Sequence, residues 1–329
     1  MPGPTSHSYT SQRLQLNYVD WGNPGAPPLV LVHGVRDHAR SWDFVAEGLR
    51  DRWHVIAPDL RGHGDSEWQQ DGNYGMLGYV CDLTELVRQL DLAPVTLIGH
   101  SLGGNVAVRY AGIFPARVKR LVCIEGLGLS PVAMAERLAR PMTERMAAWV
   151  ETQRHLKRRV PHRYAAVEDA IARMQTAHTD FTPDQADHLA RHGVREHADG
   201  DKSPTSGPTS GSTWSFKFDP GLGVFPPVDL DVADLEALWT NVACPVLLVY
   251  GKKSWASNPA KDGRARHFRN ARVVLVEDAG HWVHHNRTDF FLKTVAEFLE
   301  HPGITATGPR ADAASLDQWD GSSTDGRGD

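Results

Sequence analysis

Short apolar runs alternate with amphipathic stretches along the first part of the chain. Residues 13–22 alternate apolar and polar positions, which is typical of a half-buried strand. Four almost wholly apolar runs follow, at 27–34, 53–62, 94–100 and 118–126. Such runs are typical of strands that are buried on both faces of a parallel sheet. Between them, helical spacing over 76–90 and a small-residue stretch over 102–113 predict helices.

The strand–helix alternation stops near residue 127 and resumes much later in the chain. Strand patterns return at 245–253 and 271–281, and a helix is predicted at 290–301. This order of elements predicts an α/β fold, in which helices flank a mostly parallel sheet.

The residues between these two halves have a different character. Residues 131–195 are rich in Ala, Arg, Met and Glu, with helical periodicity and no strand-like run. We therefore expect an α/β core formed by residues 1–127 and 241–301, with a helical cap, or lid, inserted at 128–240.

Two segments have the composition of irregular chain. Residues 199–214 are a low-complexity stretch in which PTSG occurs twice, so we expect a flexible loop at 199–213. The last residues, 302–329, are rich in Gly, Ser and Asp and almost free of apolar side chains. We expect this tail to be disordered.

Composition and charge narrow the class of protein. The 329 residues are 41% hydrophobic and 23% charged, as in ordinary globular proteins. The net charge of −5, without a basic block, gives no reason to expect a nucleic-acid partner. Three scattered cysteines fit neither a disulfide framework nor a zinc site. With no leader-like start and no run of about 18 apolar residues, we expect a cytoplasmic protein without a membrane segment. Because the sequence shows neither a cluster of metal ligands nor a dinucleotide-binding motif, we expect no metal and no organic cofactor.

The sequence Gly99-His100-Ser101-Leu102-Gly103 lies between a predicted strand and a predicted helix. A strand-to-helix turn this tight requires glycines two positions before and after its central residue. The turn lifts the hydroxyl of Ser101 out of the sheet, beside a helix N-terminus that favours negative charge. Ser101 is therefore the candidate nucleophile.

A serine hydroxyl becomes a strong nucleophile when a neighbouring base accepts its proton. His281 is the candidate base, because it is the first position past the C-terminal edge of the last predicted strand. His284 and His285 follow closely, but we expect them at the start of the final helix, facing the surface or the core.

An oxyanion hole needs two backbone N–H groups. We expect one from Leu102, which directly follows Ser101. The other is expected from Val35, in the loop His33-Gly34-Val35, where glycine permits a close backbone approach. We expect His33 to hold this loop by side-chain hydrogen bonds rather than to act as a second base.

These motifs, together with DLRGHGDS at 59–66 and the Gly280-His281 pair, resemble the α/β-hydrolase fold superfamily over about 1–127 and 240–300. The similarity is to the capped branch, which includes esterases, lactonases, carbon–carbon bond hydrolases, epoxide hydrolases and haloalkane dehalogenases. The last two classes use an aspartate nucleophile, so a serine argues against both. Residues 214–220 are similar to proteins called serine hydrolase-like.

The resemblance implies a catalytic triad whose acid stands at an unusual place. In this family an acid usually lies in the loop after the strand at 245–251, but residues 251–254 here read GKKS. Glu125, at the end of the strand before the cap, resembles the acid of some dehalogenases and of lactone hydrolases of the zearalenone type. We therefore expect Glu125 to be the triad acid, and Asp262 is the alternative.

Three further residues are weaker candidates for substrate binding. Arg36 follows Val35 and could face an acidic group of the substrate, although an arginine in solvent is the alternative. Trp42 and Trp282 could form an apolar wall of the pocket, and packing roles are the alternative for both.

Sequence and resemblance together indicate hydrolysis of a carboxylic ester or lactone, a small-molecule substrate, through an acyl-serine intermediate. A carbon–carbon bond hydrolase with the same triad is one alternative. A low-turnover, receptor-like homologue, in which the pocket binds a ligand, is another.

Overall fold

The computed structural model of the protein describes residues 3–156, 159–198 and 212–300. The strands in these ranges are β1 Thr5–Ser11, β2 Leu14–Asp20, β3 Pro28–Val32, β4 His54–Pro58, β5 Val95–His100, β6 Val118–Ile124, β7 Val194–His197, β8 Thr213–Phe216, β9 Val246–Gly251 and β10 Ala271–Val276. One eight-stranded sheet has the order β1-β2-β4-β3-β5-β6-β9-β10. From β4 to β10 all neighbours are parallel, whereas β1 and β2 are antiparallel at one edge. The prediction of a mostly parallel sheet is confirmed.

Helices cover both faces of this sheet. They are α1 Asp43–Leu49, α2 Met76–Gln89, α3 Leu102–Ile113, α4 Pro131–Ala139, α5 Met142–Leu156, α6 Val167–Ala177, α7 Pro183–Gly193, α8 Val232–Asn241, α9 Val283–Asn286 and α10 Thr288–Glu300. The side chains of α2, α3 and α8 pack in one apolar core, and those of α1 and α10 in the other. Across the described ranges, no helix combines the length and the apolar character needed to cross a membrane.

The alternation of side chains along each central strand produces these two cores. In β3, Val30 and Val32 belong to the core with α2 and α3, whereas Leu29 and Leu31 belong to the core with α1 and α10. All four side chains are completely buried. Because both faces are filled with apolar side chains, polar groups can reach a substrate only at the strand ends.

The segment between β6 and β9 is built from α4 to α7, a two-stranded sheet of β7 and β8, and α8. The sequence pattern did not predict the strand pair, because strands of four residues are too short for a clear alternation. The expected cap boundary at residue 240 falls inside α8, whose Leu235 and Trp239 belong to the core of the sheet. This helix therefore packs as part of the core.

Parts of two expected segments cannot be compared with the structure. Of the flexible loop expected at 199–213, residues 199–211 lie outside the described ranges. Thr213 begins β8, so at that position a strand replaces the expected loop. The tail at 302–329 also lies outside the described residues.

Several histidines are buried near the C-terminal edge of the sheet. Burial in apolar surroundings disfavours the imidazolium form and lowers the pKa of His33, His38 and His285 to about 3 each. The same desolvation lowers the pKa of His100 and His284 well below the usual value. These imidazoles are therefore neutral in the folded protein at neutral pH.

Buried neutral histidines make the folded state sensitive to acid. The unfolded chain takes up protons on histidine below about pH 6.5, whereas the folded imidazoles of His33, His38 and His285 do so only near pH 3. Between these limits each such histidine lowers the free energy of unfolding by about 1.4 kcal/mol per pH unit of acidification. Asp37 acts in the opposite direction, since burial raises its pKa to about 7.

We predict that His285→Gln weakens this acid dependence. Wild-type protein and variant are compared by urea unfolding at pH 7.5, 6.0 and 5.0, and the change in unfolding free energy with pH is the measured quantity. The difference between the two proteins isolates one imidazole and should amount to roughly 1 kcal/mol per pH unit below pH 6.5. Equal pH dependence in both proteins would mean that His285 can be protonated in the folded state.

Candidate active site

Ser101 forms the tight turn between β5 and α3. Its φ of +51° and ψ of −115° are strained for a residue with a side chain, and its N–H donates to the carbonyl of Ile124 at 2.8 Å. A Cβ on Gly99 would lie 2.4 Å from the carbonyl oxygen of Gly103, and a Cβ on Gly103 would lie 2.2 Å from that of Val32. Glycine is required at both positions because strand, turn and helix approach so closely.

The loop after β3 lies directly against this turn. A Cβ on Gly34 would lie 3.3 Å from the Cβ of Ser101. The His33 ring holds the loop, with Nδ1 2.7 Å from the Gly34 carbonyl and Nε2 accepting a backbone N–H of the next loop at 3.0 Å. Val35 directly follows Gly34 in this loop, and Leu102 begins the helix after Ser101. The two expected oxyanion donors therefore belong to segments that meet at Ser101.

Glu125 directly follows β6 at the same edge of the sheet. Its backbone has a φ of +49°, and its side chain is completely buried. Oε2 accepts hydrogen bonds from His281 Nδ1 at 2.5 Å and from Ser254 Oγ at 2.6 Å. Oε1 accepts the backbone N–H of Gly251 at 2.8 Å. Both carboxylate oxygens are therefore bound, which fixes the carboxylate against the imidazole.

Ser254 occupies the loop in which the family resemblance predicts an acid. Its hydroxyl donates to Glu125 at 2.6 Å and accepts the backbone N–H of Ala256 at 3.1 Å. The loop after β9 thus supplies a hydrogen-bond donor in place of a carboxylate. Sequence reasoning missed this contact, because the serine registered only as a departure from the family pattern.

The backbone of His281 is held beside the residue that precedes Ser101. The carbonyl of His281 contacts Nε2 of His100 at 3.0 Å, and the two imidazole rings are 4.7 Å apart. Although the structure describes both residues, no side-chain hydrogen bond joins Ser101 to His281. In enzymes without substrate, bonds between nucleophile and base are often long and shorten in the substrate complex.

Asp262, the alternative acid, belongs to a different cluster. Its carboxylate pairs with Arg264 at 2.7 Å and accepts the hydroxyl of Ser257 at 2.6 Å. Arg264 also donates to the carbonyls of Gly128 and Leu129. The structure therefore joins His281 to Glu125 and leaves Asp262 engaged with an arginine.

Trp42 does not form a pocket wall in this structure. Its indole is completely buried in the core with α1 and α10, and it stacks on His284 at 4.6 Å. The weak prediction of a substrate contact is corrected to packing, because the side chain is enclosed by the apolar residues of this core.

The other two weak candidates lie nearer the surface. Trp282 is half-buried, with its ring 4.7 Å from that of His100 and 5.5 Å from that of Phe181. Arg36 is exposed, and its guanidinium lies over the Phe218 ring at 5.9 Å. The substrate-binding roles of Trp282 and Arg36 stay predictions.

Sequence reasoning overlooked Trp255, which follows Ser254 in the loop after β9. The side chain is 76% exposed, and its ring lies 4.9 Å from that of His281. An aromatic ring in solvent beside the candidate base is placed where it can contact a molecule bound at that base. Its position directly after the departure from the family pattern was the available signal.

Comparison with known proteins agrees with this architecture. A family model described as the alpha/beta hydrolase fold matches residues 27–165. A 3-hydroxybutyrate-oligomer hydrolase of Cupriavidus necator is 30% identical over 251 residues, which cover 73% of this chain and 77% of the relative. Esterase Rv0045c of Mycobacterium tuberculosis is 27% identical over 305 residues, covering 91% of each chain.

A solved structure extends the likeness to three dimensions. The thioesterase domain from the curacin biosynthetic pathway superimposes with a TM-score of 0.73 at 19% identity, covering 90% of this chain and all of that domain. At this identity the structural match establishes the fold alone, whereas the sequence match to the Cupriavidus enzyme establishes kinship. The chain therefore belongs to the α/β-hydrolase family of enzymes.

Proposed function

We propose that this protein is a serine hydrolase that cleaves a carboxylic ester or a lactone through an acyl-serine intermediate. The 2.5 Å hydrogen bond between His281 Nδ1 and Glu125 Oε2 carries the proposal. A histidine whose Nδ1–H is held by a carboxylate keeps Nε2 free to accept a proton. Ser101 is the nucleophile, His281 the base and Glu125 the acid of this triad.

In the first half of the reaction, Ser101 Oγ attacks the carbonyl carbon while Nε2 of His281 accepts the hydroxyl proton. The carbonyl oxygen becomes an oxyanion, which accepts hydrogen bonds from the backbone N–H groups of Val35 and Leu102. The bond to the alcohol oxygen then breaks, and His281 gives its proton to that oxygen. With a lactone substrate, the released alcohol remains part of the acyl chain.

In the second half, His281 accepts a proton from water as the water oxygen attacks the acyl carbon. The bond to Ser101 Oγ breaks, Oγ regains a proton from His281, and the carboxylic acid leaves. Glu125 stays ionised throughout and stabilises the imidazolium that forms in each half.

The names of the relatives favour an ester as the bond that is cleaved. Oligomers of 3-hydroxybutyrate are joined by ester bonds, and the Mycobacterium relative is an esterase by name. A carbon–carbon bond hydrolase would use the same residues, and a receptor-like homologue would bind without turnover. A panel of p-nitrophenyl esters, lactones and a vinylogous 1,5-diketone separates the three: we expect turnover of esters or lactones.

We predict that Ser101→Ala abolishes most ester hydrolysis without unfolding the protein. Loss of the nucleophile should lower kcat/KM by about 10³-fold or more, as in other serine triads. The exposed Ser8→Ala is the matched control and should keep wild-type activity. A fluorophosphonate probe, read by intact mass, should label the wild type and Ser8→Ala but not Ser101→Ala. Retention of more than about a tenth of the activity by folded Ser101→Ala would exclude the proposed nucleophile.

We predict that Glu125→Gln lowers kcat by about 10²- to 10⁴-fold, because an amide favours the wrong histidine tautomer. Asp262→Asn is the matched control, and it should change kcat less than about threefold. Both variants are compared at matched folding, checked by circular dichroism and melting temperature. If Asp262→Asn is the inactive variant, the acid lies in the loop after β9.

We predict that Ser254 positions the carboxylate of Glu125. Ser254→Ala removes one of its donors and should lower kcat about tenfold with little change in KM. Ser254 Oγ lies 2.6 Å from the Glu125 oxygen that binds His281. Adding Ser254→Asp to Glu125→Gln therefore brings a carboxylate close to the imidazole and should recover at least about tenfold of the lost kcat. Wild-type kcat in Ser254→Ala, with no recovery in the double variant, would mean that Ser254 is structurally incidental.

A further inference from the structure

Helix α7 and the start of α1 bring together three potential metal ligands, none of which is a member of the proposed triad. His188 and His192 lie one turn apart on α7, with ring centroids 4.6 Å apart. Asp43, the first residue of α1, faces them, and its carboxylate is 3.1 Å from Nε2 of His188. One ligand atom from each residue lies within 4.8 Å of the other two.

We propose that Asp43, His188 and His192 bind a divalent transition-metal ion of the Zn²⁺ type, which links α7 to α1. Two histidines at positions i and i+4 present their nitrogens on one helix face, the spacing used by helical zinc sites. Imidazole suits Zn²⁺, Ni²⁺ and Cu²⁺, whereas Mg²⁺ and Ca²⁺ prefer oxygen ligands. Two imidazoles and one carboxylate therefore favour Zn²⁺, Ni²⁺ or Cu²⁺ over Mg²⁺ and Ca²⁺.

The sequence predicts no metal site, because these three residues do not form a ligand motif along the chain. Asp43 lies far in sequence from the histidine pair, and only the packing of α7 on the short helix at Ala39–Trp42 brings them together. Two further contacts hold α7 in place: His38 Nε2 to the carbonyl of Leu189 at 2.9 Å, and the Gln185 amide to the carbonyl of His285 at 2.8 Å. The ligands thus come from elements already docked to each other.

An ion at this position would replace the proton through which His188 Nε2 contacts the Asp43 carboxylate and the Arg40 carbonyl. The His192 ring is half-buried and lies against that of His188. His192 also lines a cavity of about 110 Å³, which leaves room for water to complete the coordination shell. The His188 side chain is 25% exposed, so a small rotation can shorten its distance to the ion.

Arg40 is the competitor of the ion. Its guanidinium pairs with Asp43 at 2.6 Å, and the backbone carbonyl of Arg40 contacts the His188 ring at 3.2 Å. The arginine side chain is 31% exposed, so it can turn toward solvent when an ion takes its place at the carboxylate. A metal site with an arginine as its competitor should bind more tightly when the arginine is removed.

The test uses the untagged full-length chain and Zn²⁺ at pH 7.5, with calorimetric titration and thermal unfolding. We expect one tight site per chain, and a rise in melting temperature of about 5 °C at saturating Zn²⁺. His188→Gln with His192→Gln should weaken binding at least about tenfold and abolish the rise. The exposed His155→Gln is the control variant and should match the wild type in Zn²⁺ affinity and in melting temperature. Mg²⁺ in place of Zn²⁺ should produce no rise in melting temperature.

Two single variants test the geometry further. Asp43→Asn should weaken Zn²⁺ binding, whereas Arg40→Gln should strengthen it, an outcome that a purely structural role for these residues does not give. Unchanged Zn²⁺ affinity in the double histidine variant would overturn the proposal. The proposal would also be overturned if His281→Ala lost Zn²⁺ binding while the double histidine variant kept it, since the ion would then occupy the proposed triad. Neither result depends on whether the protein hydrolyses esters.

Discussion

The carboxylate of Glu125 is the group on which the geometry of the site depends. A buried charge is costly unless donors surround it, and this one accepts hydrogen bonds from His281, Ser254 and Gly251. Because each donor comes from a loop or strand end at the same edge of the sheet, their hydrogen bonds to one carboxylate tie these segments together. Loss of that charge would release the imidazole, the serine loop and the end of β9 together.

The fold explains why such a group stands there. Both faces of the sheet are filled by apolar side chains, so the C-terminal strand ends are where polar groups can converge. Ser101 and Glu125 follow neighbouring strands, and each has a positive φ that turns its side chain out of the strand direction. Strain of this kind persists only where the surrounding packing requires it, and here it occurs at two members of the proposed triad.

Much of the fold could be predicted because its central strands are apolar on both sides and its turns carry glycine. The strand β1 escaped detection, since its sequence TSHSYTS is mostly polar and most of its side chains are exposed at the edge. Ser101, His281 and Glu125 could be proposed from strand ends alone. Other features depend on packing between segments that are distant in sequence, and no local pattern predicts them. They are the burial of Trp42, the hydrogen bond from Ser254 to Glu125 and the contact between Asp43 and α7.

The hydrogen bond between His281 and Glu125 can be observed directly by proton NMR. An imidazole N–H held by a carboxylate at 2.5 Å should give a far-downfield resonance in the wild-type protein. We predict that this signal persists in Asp262→Asn and disappears in both His281→Ala and Glu125→Gln. A signal that disappears in Asp262→Asn and persists in Glu125→Gln would mean that Glu125 does not hold the imidazole.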